Sequence, residues 1–408
     1  GGTIGDFQNA LYIDAARVIK MKNPKDVLFV MVSYLPVPST IGEMKTRPTQ
    51  HAVRELNSYG VQPDIIVARS THALDKKRKE KLAIWCNVES DHIISAPDVD
   101  SIYDVPLNFE RDKLSDILLT ALGKRVTQQS DFGEWKHFAE KYHNGTGEVK
   151  IGIVGKYFDT GDFVLSDAYI SVIEAIKYAA VANGTKAKID WLNAKKYETD
   201  PSSVSELKEY DGILVPGGFG ETGVEGKINA IRFVRENKIP YFGLCYGMQL
   251  LTVEYARNVA SLADAHTTEI NPKSPHPVIA ILPEQIAKLA KRDYGGTMRL
   301  GAYPCEIKEG TIAHASYEKK AISERHRHRY EVNPDYVGQL EKAGLVFSGR
   351  SPDGRLMEIA ELPKSVHPFM LGTQFHPEFR ARPLTPHPLF TAFITAACLR
   401  RQAKGRKS

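Results

Sequence analysis

Short apolar runs that alternate with helical stretches are the feature that most limits the possible folds of this chain. Residues 27–35 form a continuous apolar run, which is typical of a strand with both faces buried. Shorter runs follow at residues 65–68 and 92–96, and helical stretches lie between the runs at residues 49–59 and 75–85. Strands that are separated by helices indicate a parallel sheet, so we predict an α/β fold.

A polar stretch divides this pattern into two series. Residues 126–148 are polar with scattered aromatic residues, and we interpret them as a linker that contains one short helix. We therefore predict one domain at residues 1–125 and a second at residues 149–408. In the second domain, strands are predicted at residues 150–157, 187–192, 212–216, 239–244 and 369–375, and helices at residues 166–183, 224–237, 246–260, 334–343 and from 387. A proline-rich loop is predicted at residues 271–283, β-structure around residues 299–332, and a hairpin about the turn at residues 351–354.

Composition and charge exclude several classes of protein. The 408 residues are too many for one hydrophobic core and are expected to form more than one domain. The net charge is +5, but five of the 54 Lys and Arg residues lie in the last nine positions, and without them the chain has 49 positive and 49 negative side chains. We therefore predict no nucleic-acid partner. No run of about 18 apolar residues occurs, so we predict no membrane span.

The first residue and the cysteines bear on the origin and the compartment of the chain. The chain begins with Gly1 rather than Met and has no signal-peptide pattern, so we expect it to be a segment of a longer protein. Its four cysteines, Cys86, Cys245, Cys305 and Cys398, are far apart and form no C-x-x-C motif. This usage predicts free thiols in a reducing cytoplasm, where one of them can serve as a nucleophile.

The strongest chemical signal is the sequence IPYFGLCYGMQ at residues 239–249. An apolar strand runs into G-L-C-Y-G and a helix follows, which is the layout of a nucleophile elbow with cysteine in place of serine. Gly243 and Gly247 allow the sharp turn. The helix N-terminus next to Cys245 favours negative charge there. A lone cysteine in an apolar segment is usually a core residue, but the elbow favours a nucleophile.

A cysteine nucleophile requires a base and a group that orients the base. His376, in QFHPEF, follows a predicted strand, and Glu378 is near enough in sequence to contact the imidazole. The glycine-rich run GILVPGGFG at residues 212–220 can present the N–H of Gly217 to an oxyanion, with Tyr246 as a second donor. A phosphate-binding loop is the alternative interpretation of this run, but the Lys-Ser/Thr of a P-loop does not follow it.

These motifs, P-G-G-F-G, G-L-C-Y-G-M-Q and F-H-P-E in this order, resemble the class I glutamine amidotransferase family. The resemblance implies a flavodoxin-like domain in which Cys245 attacks the side-chain amide of glutamine. His376 would transfer protons, Glu378 would orient it, and the oxyanion donors would be Gly217 and Tyr246. The residues implied to contact glutamine are Gly218, Tyr246, Gly247, Met248, Gln249, Glu269 and Arg329.

The string ERHRHRYEVN at residues 324–333 resembles the CTP synthase family more narrowly. Alternating basic residues on a strand usually indicate a solvated edge, and the pair His326 and His328 also suggests a metal site, for which no third ligand is evident. By the resemblance, Arg329 would bind the α-carboxylate of glutamine and Glu269 its α-amino group. These roles are physically consistent, because each charge would face its opposite on the zwitterion.

The first domain resembles the synthetase domain of the same family in GGTIGD at residues 1–6, GEMKTRPTQH at 42–51 and QPDIIVARS at 62–70. The implied fold is a partial P-loop-type Rossmann-like domain, since no P-loop motif occurs in the chain. The residues implied to bind UTP or CTP are Asp6, Phe7, Gln8, Lys45, Thr46, Arg47, Pro48, Thr49, Gln50 and Lys81, and those implied to bind ATP are Asp98 and Val99. Without the resemblance, KTRPTQ indicates only a basic helix N-terminus that can attract phosphate.

The resemblance implies ATP-dependent amination of UTP to CTP, the last step of de novo CTP synthesis, with glutamine or ammonia as the nitrogen donor. ATP would phosphorylate the uracil 4-oxygen, and ammonia would displace the phosphate. Mg²⁺ would accompany ATP, but its ligands are expected outside this chain, in a preceding segment. The family further implies CTP as an inhibitor, GTP as an activator of glutamine hydrolysis, and a homotetramer.

The chain departs from the family pattern at several points. Because the P-loop is missing, we expect glutaminase activity rather than efficient UTP phosphorylation. Thr222 lies in the loop where the family has an Arg that is associated with GTP activation, and Gln8 replaces an acid in the CTP-contacting motif, so both effects are expected to be weak. Tyr246 replaces a Leu but can still donate its N–H. Two alternatives remain, a stand-alone glutaminase or Cys-His hydrolase and a nucleotide-binding scaffold without turnover.

Overall fold

Three parallel strands form the sheet of the N-terminal unit in this computed structural model. The chain divides into two units, Gly1–Ala139 and Glu140–Ser408, and the structure describes residues 3–127, 131–155, 169–281 and 298–405. The sheet order is β1 (Val30–Tyr34), β2 (Ile65–Ser70) and β3 (Ile93–Pro97). The helices of this part of the chain are α1 (Phe7–Lys22), α2 (Arg47–Ser58), α3 (Lys76–Cys86), α4 (Val105–Arg111), α5 (Leu114–Ala121) and α6 (Gly133–Asn144).

Strand β1 corrects one expectation, because only one of its faces is buried. Met31 and Ser33 face the core, whereas Val30, Val32 and Tyr34 are exposed. β1 is an edge strand whose partner among the described residues is β2. The apolar run wrongly predicted two buried faces because apolar composition does not say how many layers cover a strand.

The helices of this unit differ in how well the sequence indicates them. Asp75 caps α3 by accepting a hydrogen bond from the N–H of Arg78 at 2.8 Å, and the predicted helix is present there. Helix α1 was not predicted, and none of its residues is buried. Phe7 and Leu11 are exposed on it, so no single apolar stripe marks the helix in the sequence.

A nine-stranded mixed sheet lies at the centre of the second unit. In sheet order its strands are β11 (Ala321–His328), β10 (Arg299–Ile307), β13 (Val346–Arg350), β14 (Met357–Glu361), β15 (Met370–Thr373), β7 (Tyr241–Leu244), β6 (Gly212–Val215), β4 (Glu148–Gly155) and β5 (Lys186–Asn193). A smaller sheet joins β12 (Tyr330–Val332), β9 (His276–Ile281) and β8 (Ala265–Thr267). The helices are α7 (Ile170–Ala182), α8 (Ala194–Thr199), α9 (Val224–Glu236), α10 (Tyr246–Asn258), α11 (Ile312–Tyr317), α12 (Pro334–Lys342) and α13 (Pro388–Gly405).

The parallel half of the large sheet brings three loops to one edge. One half of the sheet is parallel and consists of β15, β7, β6, β4 and β5. The other half is antiparallel and consists, in sheet order, of β11, β10, β13, β14 and β15. Tyr241 and Phe242 belong to separate buried apolar clusters, as expected for a parallel strand that is covered on both faces. The carboxyl ends of β6, β7 and β15 therefore meet at one edge, where ligands bind in sheets of this kind.

Of the local predictions in this unit, one was wrong and one lies partly outside the described residues. The predicted loop at 271–283 contains β9, whose single proline, Pro277, is its second residue. The carbonyl oxygen of Pro277 accepts a hydrogen bond from Asn333 Nδ2 at 3.0 Å. The predicted helix start at Ser166 lies outside the described residues, and α7 is described from Ile170. The predicted hairpin is confirmed by the antiparallel pair β13 and β14.

Within the described ranges, no helix combines the length and apolar character that a membrane crossing requires.

Candidate active site

Cys245 lies at the sharp turn between β7 and α10. Its φ of 48° and ψ of −94° are unusual for a residue with a side chain. Such strain persists only where the surrounding structure holds it, and it is concentrated at functional sites. The N–H of Cys245 donates to the carbonyl oxygen of Thr373 at 2.6 Å, which ties the turn to β15. The thiol is therefore presented at the N-terminus of α10.

Two glycines beside Cys245 leave the space that this turn needs. A Cβ atom on Gly247 would lie 2.4 Å from the carbonyl oxygen of Val215 on β6. A Cβ atom on Gly243 would lie 2.7 Å from the carbonyl carbon of Gly247. Backbone atoms of the sheet cannot move away as a flexible side chain can, so any larger residue would force α10 away from β6.

His376 faces Cys245 from the loop that follows β15. Its Nδ1 lies 2.7 Å from Oε1 of Glu378, so Nε2 is the ring nitrogen left for the thiol. Both side chains are buried. Burial by itself lowers the pKa of His376, but the negative charges of Cys245 and Glu378 outweigh burial and raise that pKa to about 11. The imidazole is thus arranged to hold a proton next to the sulfur of Cys245.

The glycine-rich loop after β6 lies against this pair. A Cβ atom on Gly217 would lie 2.7 Å from Cε1 of His376. The hydroxyl of Tyr246 donates to the carbonyl oxygen of Gly220 at 3.2 Å, and the N–H of Gly220 donates to Oε1 of Glu269 at 2.9 Å. Tyr246 is the first residue of α10, so its N–H has no partner within the helix. The loop and the helix start together offer N–H groups next to the thiol.

The residues predicted to contact glutamine fall into two groups. Tyr246, Gly247, Met248 and Gln249 form the first turn of α10 and are buried, and Gly218 lies in the glycine-rich loop. The charges of Glu269 and Arg329 both act on the hydroxyl of Tyr330. Burial and Glu269 raise the pKa of Tyr330, whereas Arg329 opposes them. One acidic and one basic side chain therefore lie in the same region.

Sequence reasoning missed a cluster of buried charged residues next to this site. Arg299 forms ion pairs with Glu331 at 3.1 Å and Glu358 at 2.9 Å. His326 Nδ1 lies 2.9 Å from His328 Nε2, and both rings are buried. β11 lies at the edge of the described sheet with Arg325 and Arg327 exposed, as the alternating basic string indicates, while its histidines face inward. The register of β10 against β11 brings Arg299 opposite His328. The alternating basic string at residues 324–333 was the sequence signal for this cluster, but only the sheet register shows that Arg299 lies opposite it.

In the N-terminal unit, five of the predicted nucleotide residues line a basic cavity of about 670 Å³. The KTRPTQ run follows the carboxyl end of β1 and continues into α2. Of the predicted residues, those that line the cavity are Lys45, Thr46, Arg47, Gln50 and Lys81. Glu43, Arg54, Lys77, Arg78 and Trp85 complete much of the wall and were not predicted. Basic side chains therefore predominate in a cavity large enough for a nucleotide.

The remaining predicted nucleotide residues lie elsewhere in this unit. Thr49 is buried and its hydroxyl lies 2.8 Å from that of Ser33. Asp98 follows β3 and accepts a hydrogen bond from Arg69 at 2.7 Å, next to Val99. Among the described residues that line the cavity, none is Asp6, Phe7, Gln8 or Pro48, and the first three of these lie at the start of α1.

Comparison with known proteins agrees with the two units. Residues 1–124 match the family described as CTP synthase N-terminus, and residues 164–396 match glutamine amidotransferase class-I. The CTP synthase of Carboxydothermus hydrogenoformans is 49% identical over 398 residues, 97% of this chain and 72% of the relative. That of Pyrococcus furiosus is 47% identical over 408 residues, 99% of this chain and 73% of the relative.

A solved structure supports the fold of the second unit. The glutaminase domain of Trypanosoma brucei CTPS, with bound acivicin, is 36% identical, with a TM-score of 0.56. The match covers 62% of this chain and 94% of that domain. The predicted α/β fold of a synthetase domain followed by a class I glutamine amidotransferase domain is thereby confirmed. The chain belongs to the CTP synthase family, ligases that use ATP and glutamine to convert UTP to CTP.

Proposed function

We propose that the second unit supplies ammonia by hydrolysing glutamine at Cys245. The observation that carries the proposal is the convergence of Cys245, His376 and Glu378 at one edge of the sheet, beside a loop of N–H donors. A buried thiol opposite a carboxylate-bound imidazole is the arrangement that cysteine nucleophiles require. The alternatives without a synthetase reaction are not favoured, because the family match extends over residues 1–124.

The reaction proceeds in two halves. The Cys245 thiolate attacks the amide carbon of glutamine, and the N–H groups of Tyr246 and Gly217 stabilise the oxyanion. The His376 imidazolium gives its proton to the departing nitrogen, so ammonia leaves and a thioester remains. The now neutral His376 then takes a proton from water, which attacks the thioester and releases glutamate. Glu378 keeps the imidazole oriented through Nδ1 in both halves.

Glutamine is recognised through both charges of its amino-acid end. Arg329 binds the α-carboxylate and Glu269 binds the α-amino group, with Gly218 and the first turn of α10 from Tyr246 to Gln249 forming the wall. Glu269 already accepts a hydrogen bond from Gly220 at 2.9 Å, so its carboxylate is oriented before the substrate arrives. Both charged groups act on Tyr330, which supports a common binding region.

The first unit binds the nucleotides. Lys45, Arg47 and Lys81 contact the UTP triphosphate from the basic cavity, which has the charge and volume for it. Thr46, Pro48, Thr49 and Gln50 extend this site, and CTP uses it as an inhibitor together with Asp6, Phe7 and Gln8. Asp98 and Val99 contact ATP at the carboxyl end of β3, the usual ligand-binding edge of a parallel sheet.

Further partners follow from the family. We infer a homotetramer in the cytoplasm, in keeping with four free cysteines. GTP activation is expected to be weak because Thr222, in the loop after the glycine-rich run, stands where the family has an Arg. Mg²⁺ accompanies ATP in this chemistry. In the described part of the chain, Glu89, Asp91 and His92 are close enough together to hold a cation, but they include no nucleotide residue, so we assign no step to a metal held by these residues.

The test is ammonia release from glutamine by the full 408-residue chain, with and without UTP, ATP and GTP. Ammonia release that is lost in Cys245→Ala is the expected result. Persistent release in that variant would show that the nucleophile is another residue. Release in no condition would exclude the glutaminase proposal. Formation of CTP is measured in the same samples, with NH₄Cl as an alternative nitrogen source, and it would contradict the expectation that the chain does not phosphorylate UTP efficiently.

A further inference from the structure

The buried cluster beside the active site contains a series of polar contacts, two of which are hydrogen bonds and the third a longer contact. His328 Nδ1 lies 3.2 Å from the carbonyl oxygen of Tyr330, and His328 Nε2 lies 2.9 Å from His326 Nδ1. His326 Nε2 in turn lies 3.6 Å from Oε2 of Glu358. Neither of these last two atoms has a closer hydrogen-bond partner among the described residues.

The carbonyl group determines the direction of this series. A carbonyl oxygen only accepts, so His328 must donate from Nδ1, and a neutral His328 then accepts at Nε2. His326 must therefore donate from Nδ1, which leaves a lone pair on its Nε2. A proton on Glu358 Oε2, 3.6 Å away, would point toward this lone pair. Each of the three contacts then has one proton and one acceptor.

The alternative arrangement moves the protons along the series and places a positive charge on His328. That charge would be buried next to Arg299. Burial is the largest cause that lowers the pKa of His328 well below its usual value, and the neighbouring Arg299 lowers it further. For the same reasons the pKa of His326 is lowered to about 3. Neutral imidazoles are therefore favoured.

Charge balance supports the proton on a carboxyl group. Arg299 is paired with two carboxylates, Glu331 and Glu358, and all three side chains are buried. Burial raises the pKa of both glutamates. One shared proton makes the cluster neutral, which lowers the cost of burying it. Each carboxyl group lies 3.6 Å from a ring nitrogen: Glu331 Oε1 faces His328 Nδ1, and Glu358 Oε2 faces His326 Nε2. His328 Nδ1 already donates to the carbonyl oxygen of Tyr330, so only Glu358 faces a nitrogen that can accept a proton.

The series of contacts ends at the backbone next to Arg329. Gln249 on α10 also donates to the carbonyl oxygen of Tyr330, at 3.0 Å. At the other end, the N–H of Gln374 donates to the carbonyl oxygen of Glu358 at 2.8 Å, two positions before His376. The contacts among Glu358, His326 and His328 therefore link the strand that leads to His376 with the junction of β11 and β12, which carries Arg329.

We propose that Glu358, His326 and His328 form a proton-ordered strut that positions Arg329 for the α-carboxylate of glutamine. The proposal rests on the glutamine-binding role of Arg329 given above. These three are positioning residues, because none of them contacts the reacting atoms. The strut fixes the carbonyl of Tyr330, and with it the adjacent peptide of Arg329, relative to the helix that begins after Cys245.

The direct test is ¹⁵N NMR of the full chain labelled at histidine, at pH 7. We expect His326 and His328 to be protonated at Nδ1 and unprotonated at Nε2. A proton on Nε2 of either ring would overturn the ordered strut. Assignment uses His326→Asn and His328→Asn. This spectrum tests the strut whether or not the chain releases ammonia, so its failure is distinct from a failure of the proposed function.

The kinetic test uses His328→Leu, which removes both hydrogen bonds. We expect KM for glutamine to rise about tenfold while the rate of Cys245 alkylation by iodoacetamide, which has no α-carboxylate, is unchanged. His328→Asn keeps a donor near the Nδ1 position, and Glu358→Gln keeps a donor toward His326, so both should stay within about threefold of the wild-type KM. His367→Leu is the matched control. His367 is an equally buried histidine that contacts the carbonyl oxygen of Val234 at 3.3 Å, and its loss should lower Tm without raising KM.

Arg329→Ala separates the two proposals. If it leaves KM for glutamine unchanged, the role of Arg329 is wrong. If it raises KM but His328→Leu does not, Arg329 binds glutamine without the strut, and the positioning proposal is wrong. A strut that acts through Arg329 also predicts that His328→Leu has little further effect on KM in the Arg329→Ala background. An additive effect would contradict it.

Discussion

The Cε1 atom of His376 lies 2.7 Å from the position that a Cβ atom would occupy on Gly217. The glycine-rich loop and the His376 imidazole are therefore packed so closely that neither can change without moving the other. Gly217 has no unusual φ, so space rather than backbone conformation is what requires glycine there.

Gly217→Ala is expected to lower kcat/KM for glutamine about 100-fold, because the methyl group displaces the His376 ring from Cys245 and small misplacements of reacting groups have effects of this size. Ammonia release measures the loss, and Tm reports folding. Gly338→Ala is the matched control, since a Cβ atom on Gly338 in α12 meets no atom within 4 Å. That change should preserve activity and stabilise the helix slightly. Normal activity in Gly217→Ala would contradict the close packing.

Glu378→Gln is expected to shift the alkaline limb of the pH–activity profile to lower pH. The wild-type pKa of His376 is raised to about 11 by Cys245 and Glu378 against the effect of burial, so the imidazolium persists far above neutral pH. Removing one of the two negative charges lowers this pKa, and the proton is then lost at lower pH. Initial rates of ammonia release between pH 6 and about 10.5 measure the shift. An unchanged limb would mean that Glu378 does not act on His376.

Glu225→Gln is expected to destabilise the second unit at pH 7 but not at low pH. His266 and Arg257 outweigh burial and lower the pKa of Glu225 from 4.5 to about 2, so its stabilising effect is present above pH 4.5 and is lost as the pH falls toward 2. The side chain is 45% exposed, and solvent screening reduces the expected loss to about 1 kcal/mol.

Thermal unfolding from pH 7 to pH 3 measures this difference, which should shrink as the pH falls. Glu236→Gln is the control, because its ion pair with Arg232 at 2.9 Å lies exposed on the same helix and should contribute little. A difference in Tm that stays constant with pH would show that Glu225 does not act through its charge.

Lys81→Ala is expected to weaken UTP binding about tenfold and to reduce its salt dependence, because Lys81 lines the basic cavity. Lys76→Ala is the control on the same helix, since Lys76 is exposed and does not line the cavity. Calorimetric titration of UTP at two salt concentrations measures both effects. Equal losses in the two variants would indicate a general charge effect rather than a contact.

The local motifs were readable in the sequence because each depends on neighbours in the chain. The apolar strand, Gly243, Cys245 and Gly247 encode the elbow within a few residues, and His376 and Glu378 contact each other across a single turn. The alternation of strands and helices likewise predicted the α/β fold. The positive φ at Cys245 is a local property, although β15 holds it in place.

The sequence by itself thus determined the α/β class, the family and the short motifs, since hydrophobic period and turn chemistry act over a few residues. Only the tertiary structure decided which face of β1 is buried, that Gly217 must leave space for His376, and that His326 and His328 are buried against Arg299. These relationships join residues from distant strands. They depend on sheet order and register, which follow from packing of the whole unit rather than from local preference.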